Sequence, residues 1–127
     1  MKLLIDTHVF LWLLYAPEKI DTKQMQALNN LDNTLYLSSM SIAEIMIKRS
    51  LGKLNVDFKN PNELINILEH MGIKLLDYDG LSALHLGSLP FHHRDPFDRM
   101  IITQAIEYNY TIVTVDAKFK MYPCKLL

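Results

Sequence analysis

Two short runs of mostly apolar and β-branched residues, Lys2–Ile5 and Thr111–Thr114, constrain the fold more than any other feature of the sequence. Neither run alternates apolar with polar residues, which is typical of strands buried on both faces of a sheet. Segments with helical periodicity separate them from two further candidate strands, Leu35–Leu37 and Ile73–Leu76. Strands and helices that alternate in this way predict a three-layer α/β/α fold around a central parallel sheet of four or five strands.

The predicted helices begin and end at recognisable residues. We expect helices at Thr22–Leu31, at Ser41–Leu51, at Pro61–Met71, from Asp79 towards Gly87, and from Asp95 to Asn109. Proline suits the first position of a helix, and glycine or asparagine suits the left-handed position after its end. The last segment, Cys124–Leu127, is a candidate edge strand.

Length and composition favour one domain over residues 1–127. The chain has 127 residues, of which 50% are hydrophobic, which is enough for a core. We expect no disordered linker. The apolar stretch Val9–Ala16 is too short for a bilayer, which needs about 20 apolar residues, so we expect no membrane association. The single cysteine, Cys124, cannot form an internal disulfide, which favours the cytoplasm.

The charge of the chain excludes one mode of nucleic-acid binding. The formal net charge is −1, whereas proteins with a broad basic binding surface are far more positive. Any contact with phosphate must come from metal ions or from local clusters. Two basic clusters are present, one of Lys48, Arg49 and Lys53, and one around His92–Arg94. A solvated helix face explains the lysines, and a solvated loop explains the histidines, at least as well as a binding role does.

Two acidic residues follow predicted strands, Asp6 after the first and Asp116 after the fourth. Ligands of parallel α/β sheets bind beyond the carboxyl ends of the strands, at the point where the strand order reverses. If the two strands are neighbours, the two carboxylates repel each other and need a partner, for which a hard divalent cation with oxygen ligands is suited. Helix capping is the alternative explanation for each residue, because aspartate is a favoured N-cap.

Glu44 has a structural and a functional interpretation. The segment Ser41–Glu44 has the capping-box pattern S-x-x-E, in which the glutamate turns back to the serine amide. However, Glu44 lies among Ile42, Ala43, Ile45 and Met46, and a carboxylate so surrounded is stabilised by a metal or a charged partner.

The segment Asp95–Asp98 predicts a helix start, with Asp95 as N-cap and Pro96 at the first position. Asp98 then lies at the third position, where the helix dipole favours an acid. Asp98 also shares a helix face with Ile101 and Ala105 at helical spacing. That face is expected to pack on the sheet, so the carboxylate is directed towards the strand ends.

The same residues carry a resemblance that covers essentially the whole chain. The matching segments are Leu4–His8, Ser41–Ile45, the run Leu89–Arg99, and Thr114–Asp116 with Phe119 after it. Together they resemble the PIN domain, in particular the VapC-like toxins of type II toxin–antitoxin systems.

The resemblance implies a metal-dependent endoribonuclease. Asp6, Glu44, Asp98 and Asp116 would form an acidic quartet that binds Mg²⁺ or Mn²⁺, and that hydrolyses RNA with an activated water. Among the neighbours, Thr114 would orient Asp116, Asp95 would cap the helix or touch metal-bound water, and His93, Arg94 and Arg99 would be available to RNA phosphates. The resemblance also implies a cognate antitoxin and a homodimer.

Two other classes of function remain open at this point. A receiver-type signalling domain also has an Mg²⁺ site of acids at strand ends, and Asp77 or Asp79 could serve as its phosphoacceptor. That class requires paired acids after the first strand, where this chain has Asp6-Thr7. The second alternative is a catalytically silent PIN fold that acts only as a binding module.

Overall fold

The structure, a computed structural model, describes residues 1–127. Its centre is a five-stranded sheet in the order β3-β2-β1-β4-β5, in which all neighbouring strands are parallel. The strands are β1 (Lys2–Ile5), β2 (Thr34–Ser38), β3 (Ile73–Leu76), β4 (Thr111–Val113) and β5 (Lys125–Leu126). The predicted parallel sheet is therefore confirmed, with the candidate edge strand included.

Six α-helices cover the two faces of the sheet. They are α1 (Thr7–Tyr15), α2 (Thr22–Asn29), α3 (Ser39–Ser50), α4 (Asn62–Met71), α5 (Gly80–Leu84) and α6 (Pro96–Tyr108). Three single 3-10 turns occur at Pro17–Lys19, His85–Gly87 and Ala117–Met121. No helix is both long and apolar enough to cross a membrane.

The buried core is divided between the two faces, as strand geometry requires. Successive side chains of a strand point to opposite faces, so Leu3 and Ile5 pack in one cluster while Leu4 packs in the other. The larger cluster also contains Val9 and Phe10 of α1, and the smaller one contains Ile101 and Ile102 of α6, together with neighbouring side chains. Because hydrophobic side chains pack on both faces of the sheet, its inner strands are apolar runs. The expected three-layer α/β/α fold is confirmed.

The strand order places β1 at the centre of the sheet, between β2 and β4. The chain builds β2 and β3 outward on one side of β1 and then crosses to build β4 and β5 on the other side. The order therefore reverses between β1 and β4, which is where a ligand site is expected. Receiver-type domains have the order 2-1-3-4-5. Here β3 is an edge strand, so Asp77 and Asp79 lie away from β1 and the receiver interpretation loses its site.

Some boundaries differ from the sequence prediction. Helix α3 begins at Ser39 rather than Ser41, because the Ser38 side chain caps it by accepting from the Met40 amide. The β-branched segment Thr111–Val115 predicts a strand, but β4 ends at Val113. Helix α2 ends at Asn29 rather than at Leu31. The predicted left-handed residues are confirmed: Gly72 ends α4 with φ 69° and Asn109 ends α6 with φ 58°.

Candidate metal centre

Asp6 lies directly after β1 and is 3% exposed. One carboxylate oxygen, Oδ1, accepts from the His8 amide at 3.2 Å, so Asp6 caps α1 as its residue type predicts. The other, Oδ2, accepts from the Thr114 hydroxyl at 2.7 Å. Burial raises the pKa of Asp6, and the hydrogen bond from Thr114 offsets part of that increase. Capping and membership of a site are therefore compatible for this residue.

Asp116 lies just beyond β4, the neighbour of β1. Its amide donates to the Thr114 hydroxyl oxygen at 3.1 Å, so Thr114 connects Asp116 to Asp6. Partial burial raises the pKa of Asp116, but hydrogen bonds from the Lys118 amide and His93 outweigh it, and the net pKa is below the ordinary value. Gln24 of α2 donates to the Thr114 carbonyl at 2.8 Å and fixes the end of this strand from the other side.

Asp98 occupies the first turn of α6. Asp95 caps this helix by accepting from the Phe97 amide at 2.9 Å and the Asp98 amide at 3.3 Å, which agrees with the predicted cap. The pKa of Asp98 is raised to about 8, first by burial and then by the charges of Asp6, Asp95, Glu44 and Asp116. This mutual repulsion indicates that the four sequence-predicted acids lie in one region of the molecule.

Glu44 of α3 is buried, with 5% of its surface exposed. Its Oε2 forms an ion pair with Lys48 one turn along the helix, whereas its Oε1 is buried without any hydrogen-bond partner. The predicted capping box with Ser41 is wrong, because the helix begins two residues earlier. Instead, Ser41 accepts a hydrogen bond from the Thr7 hydroxyl at 2.8 Å. The explanation of Glu44 as a capping residue is thereby removed.

His93 is buried, 8% exposed, between two of the acids. Its Nε2 lies 2.9 Å from Oδ2 of Asp116 and 3.0 Å from Oδ2 of Asp98. The backbone N–H of Asp95, which can only donate, forms a hydrogen bond to Nδ1 of His93 at 3.1 Å. Nδ1 must therefore accept, which leaves the ring proton on Nε2. His93 consequently donates to the carboxylates, and the interpretation of His93 as part of a solvated loop was wrong.

The loop around His93 is held by a residue that sequence reasoning missed. The hydroxyl oxygen of Tyr122 accepts from the amides of His92 and His93, at 2.9 and 2.6 Å. Tyr122 is itself 5% exposed. No local pattern marks this tyrosine, since the contact spans 29 positions of the sequence.

The two arginines differ in accessibility. Arg94 is exposed beside the site. Arg99 does not match the expectation of a phosphate contact, because it is 7% exposed. Its guanidinium donates to the carbonyl of Pro90 at 2.9 Å and, more weakly, to that of Leu89 at 3.4 Å. Arg99 therefore secures the loop before α6.

The arrangement fits a divalent cation. Ligand atoms of His93, Asp98 and Asp116 lie within 4.8 Å of one another. The Nε2–H group of His93 faces the carboxylates of Asp98 and Asp116. A cation at this position would likewise interact with both carboxylates. Glu44 adds a buried oxygen without a partner. Oxygen donors of this type suit Mg²⁺ and Mn²⁺.

Solved structures with the same fold include VapBC and FitAcB structures from bacteria. The chain is similar to one in the crystal structure of VapBC2 from Rickettsia felis bound to a DNA fragment from its promoter, with a TM-score of 0.73 and 22% identity over 100% of this chain and 98% of that one. For VapBC-1 of nontypeable Haemophilus influenzae the TM-score is 0.72, with 19% identity over 100% and 97%. For FitAcB of Neisseria gonorrhoeae it is 0.65, with 22% identity over 98% and 96%. These likenesses establish the fold.

Family membership rests on the sequence itself. No curated protein matches the chain. The PIN domain family, however, matches residues 3–123, which include every acid described above. The chain therefore belongs to the PIN domain family.

Proposed function

We propose that the chain is a metal-dependent endoribonuclease and the toxin component of a toxin–antitoxin pair, acting as one domain. The observation that carries this proposal is the cluster of His93, Asp98 and Asp116, whose ligand atoms lie within 4.8 Å of one another. The charges of Asp6 and Glu44 also act on Asp98, and together with burial and its other acidic neighbours they raise the pKa of Asp98 to about 8. A partly buried carboxylate held so far from its ordinary pKa by neighbouring acids is characteristic of a functional site.

Asp6, Asp98 and Asp116 would bind Mg²⁺ or Mn²⁺ directly. Glu44 has two available roles, because its partnerless Oε1 can bind the ion or accept a hydrogen bond from the attacking water. When bound, such an ion supplies hydroxide near neutral pH and stabilises the charge that develops on the phosphate. The presence of all four acids argues against a silent binding module.

The surrounding residues of the chain hold the acids in place. Thr114 keeps Asp6 oriented by its 2.7 Å hydrogen bond. In the metal-free protein, His93 keeps Asp98 and Asp116 together through its Nε2 proton. Asp95 fixes the tautomer of His93 and also caps α6, which explains how a residue outside the quartet can matter for the site. Arg94 is exposed and available to a phosphate of the substrate.

The partners follow from the same proposal. Two of the similar structures named above are of VapBC, and one of these two is bound to promoter DNA. We propose a cognate antitoxin that covers the acids with a basic side chain, a homodimer, and a cytoplasmic location.

Cleavage of RNA tests the proposal. Purified protein is incubated with total RNA and 5 mM Mg²⁺, and the products are mapped. We expect discrete cuts that EDTA abolishes and that Asp6→Asn and Asp98→Asn each abolish. Asp57→Asn is the matched control, since Asp57 is exposed and outside the site.

Survival of full cleavage in both site variants would contradict the metal mechanism. Absence of cleavage by the wild-type protein, with Mg²⁺ and Mn²⁺ each tried, would contradict the nuclease proposal. Induced expression in a bacterial host provides the second measurement: growth arrest should require the same acids.

A further inference from the structure

A small cavity adjoins the acids on the side of α3. Its volume is about 200 Å³, and Glu44 forms part of its wall. This volume is below the roughly 300–1,000 Å³ of pockets for drug-sized ligands. The cavity therefore has room for one ring-sized group next to the metal centre and not for a folded segment of another protein.

The mouth of the cavity is cationic. Lys48 and Lys53 both line it. Lys48 is partly exposed and forms an ion pair with Glu44. The charges of Asp95 and Asp98 also act on Lys48, which therefore lies between the cavity and the acids. Lys53 is exposed, but its backbone is fixed: its amide donates to the Lys48 carbonyl at 2.8 Å across the turn at Gly52, where φ is 71°. Both lysines are thus held at the C-terminal end of α3, next to the cavity.

The floor of the cavity is apolar and carries an aromatic ring at its edge. Leu11 and Leu54 line it, and both are only partly buried. His8 also lines the cavity, is exposed, and meets Trp12 edge to face at 6.3 Å between ring centroids. An apolar floor with an exposed ring suits the face of a nucleobase, which single-strand-binding proteins stack on such side chains.

We propose that this cavity binds one nucleotide of the RNA substrate, adjacent to the bond that is cut. The base would enter between Leu11 and Leu54, and its phosphate would lie against Lys48 and Lys53. The inference rests on the proposed function and extends it, because it assigns a subsite for substrate selection.

RNA binding tests the phosphate contact. The probe is a fluorescently labelled, single-stranded 15-nucleotide RNA, titrated at 50 to 200 mM salt with Mg²⁺ in an Asp98→Asn background that prevents cleavage. Lys53→Met should weaken binding about three- to tenfold at low salt and reduce the salt dependence by the equivalent of about one phosphate contact. Lys74→Met, at an exposed position of the edge strand β3, should change neither quantity. Equal behaviour of the two variants overturns the subsite.

Cleavage specificity tests the base contact independently. Leu54→Trp fills the cavity in the otherwise wild-type protein, and it should change the base distribution beside the mapped cuts. An unchanged distribution with a folded variant overturns the base contact. If oligoglutamate bound the wild-type protein as well as the RNA does, and lost as much affinity with Lys53→Met, an acidic peptide would be the better assignment. A wild-type protein that cuts no RNA would overturn the nuclease proposal, whereas equal binding by the two lysine variants of a protein that cuts overturns only the subsite.

Discussion

Replacing Asp98 by asparagine should stabilise the metal-free protein near neutral pH. The pKa of Asp98 is about 8 in the folded protein, against an ordinary value of 3.8. Between these values the folded state retains a proton that the unfolded chain has released. Stability that depends on this proton is fully present below pH 3.8 and is lost as the pH rises towards 8. Asparagine at this position cannot titrate, so the variant does not have this loss.

The size of the stability difference follows from how far the pH lies above 3.8, the ordinary pKa of an aspartate. Each pH unit corresponds to about 1.4 kcal/mol per proton, so at pH 7 the cost to the wild-type protein is at most about 4 kcal/mol. The Asp98 side chain keeps 16% of its exposure, and solvent screens part of the repulsion, which reduces the expected difference to about 2 kcal/mol. For a chain of this length that difference corresponds to roughly 6–8 °C in Tm.

Thermal unfolding followed by circular dichroism in EDTA, from pH 4.5 to 8, measures the effect. The two proteins should unfold at similar temperatures at pH 4.5, and the variant should be increasingly more stable as the pH rises. Adding Mg²⁺ at pH 7.5 should stabilise the wild-type protein more than the variant, because the ion replaces the proton on Asp98. Parallel pH profiles in EDTA would refute the reasoning, since Asp98 would then be ionised in the fold like an ordinary surface acid.

Three further predictions concern the acids and their neighbours. Thr114→Val removes the donor to Asp6 and should lower the free energy of unfolding by about 1–3 kcal/mol, measured by urea denaturation; an unchanged value would mean that the hydrogen bond does not stabilise the fold. Nitrogen-15 NMR of His93 in the metal-free protein should show the proton on Nε2, and a proton on Nδ1 would contradict the contact with the Asp95 amide. Glu44→Gln should change stability by less than about 1 kcal/mol, because the pair with Lys48 is partly exposed, yet weaken Mg²⁺ binding in calorimetry; unchanged binding would exclude Glu44 from the ligands.

Much of the fold was predictable because strands and helix ends are local features. The run at β1 is apolar on both faces, and the structure buries both faces. The αL residues Gly72 and Asn109 end their helices as predicted. The strand order was not predictable from such signals, because it depends on which apolar surfaces meet after the chain has crossed the sheet. From the sequence, the prediction that Asp6 and Asp116 lie close together depended on their strands being neighbours. The structure shows that β1 and β4 are neighbours.

The errors in the site have a common physical cause. The pattern at Ser41 is a valid capping signal, but Ser38 caps the helix and the Ser41 hydroxyl is used by Thr7 on another helix. The polarity of the His92–Arg94 segment is typical of a solvated loop, but a tyrosine 29 positions away binds its amides and buries His93. In both cases a hydrogen bond that the local pattern does not indicate takes the place of the expected arrangement, and a single sequence does not reveal which bond forms.

The link between Thr114 and Asp6 joins residues that are 108 positions apart. Because β4 must insert beside β1 before this bond exists, no shorter stretch of the chain brings the acids together. For a ribonuclease, this means that a nascent chain still lacking β4 would not yet cut the messenger RNA that encodes it. If the chain is a ribonuclease toxin, its topology delays the onset of toxicity until synthesis is almost finished, which gives a partner made beforehand time to bind.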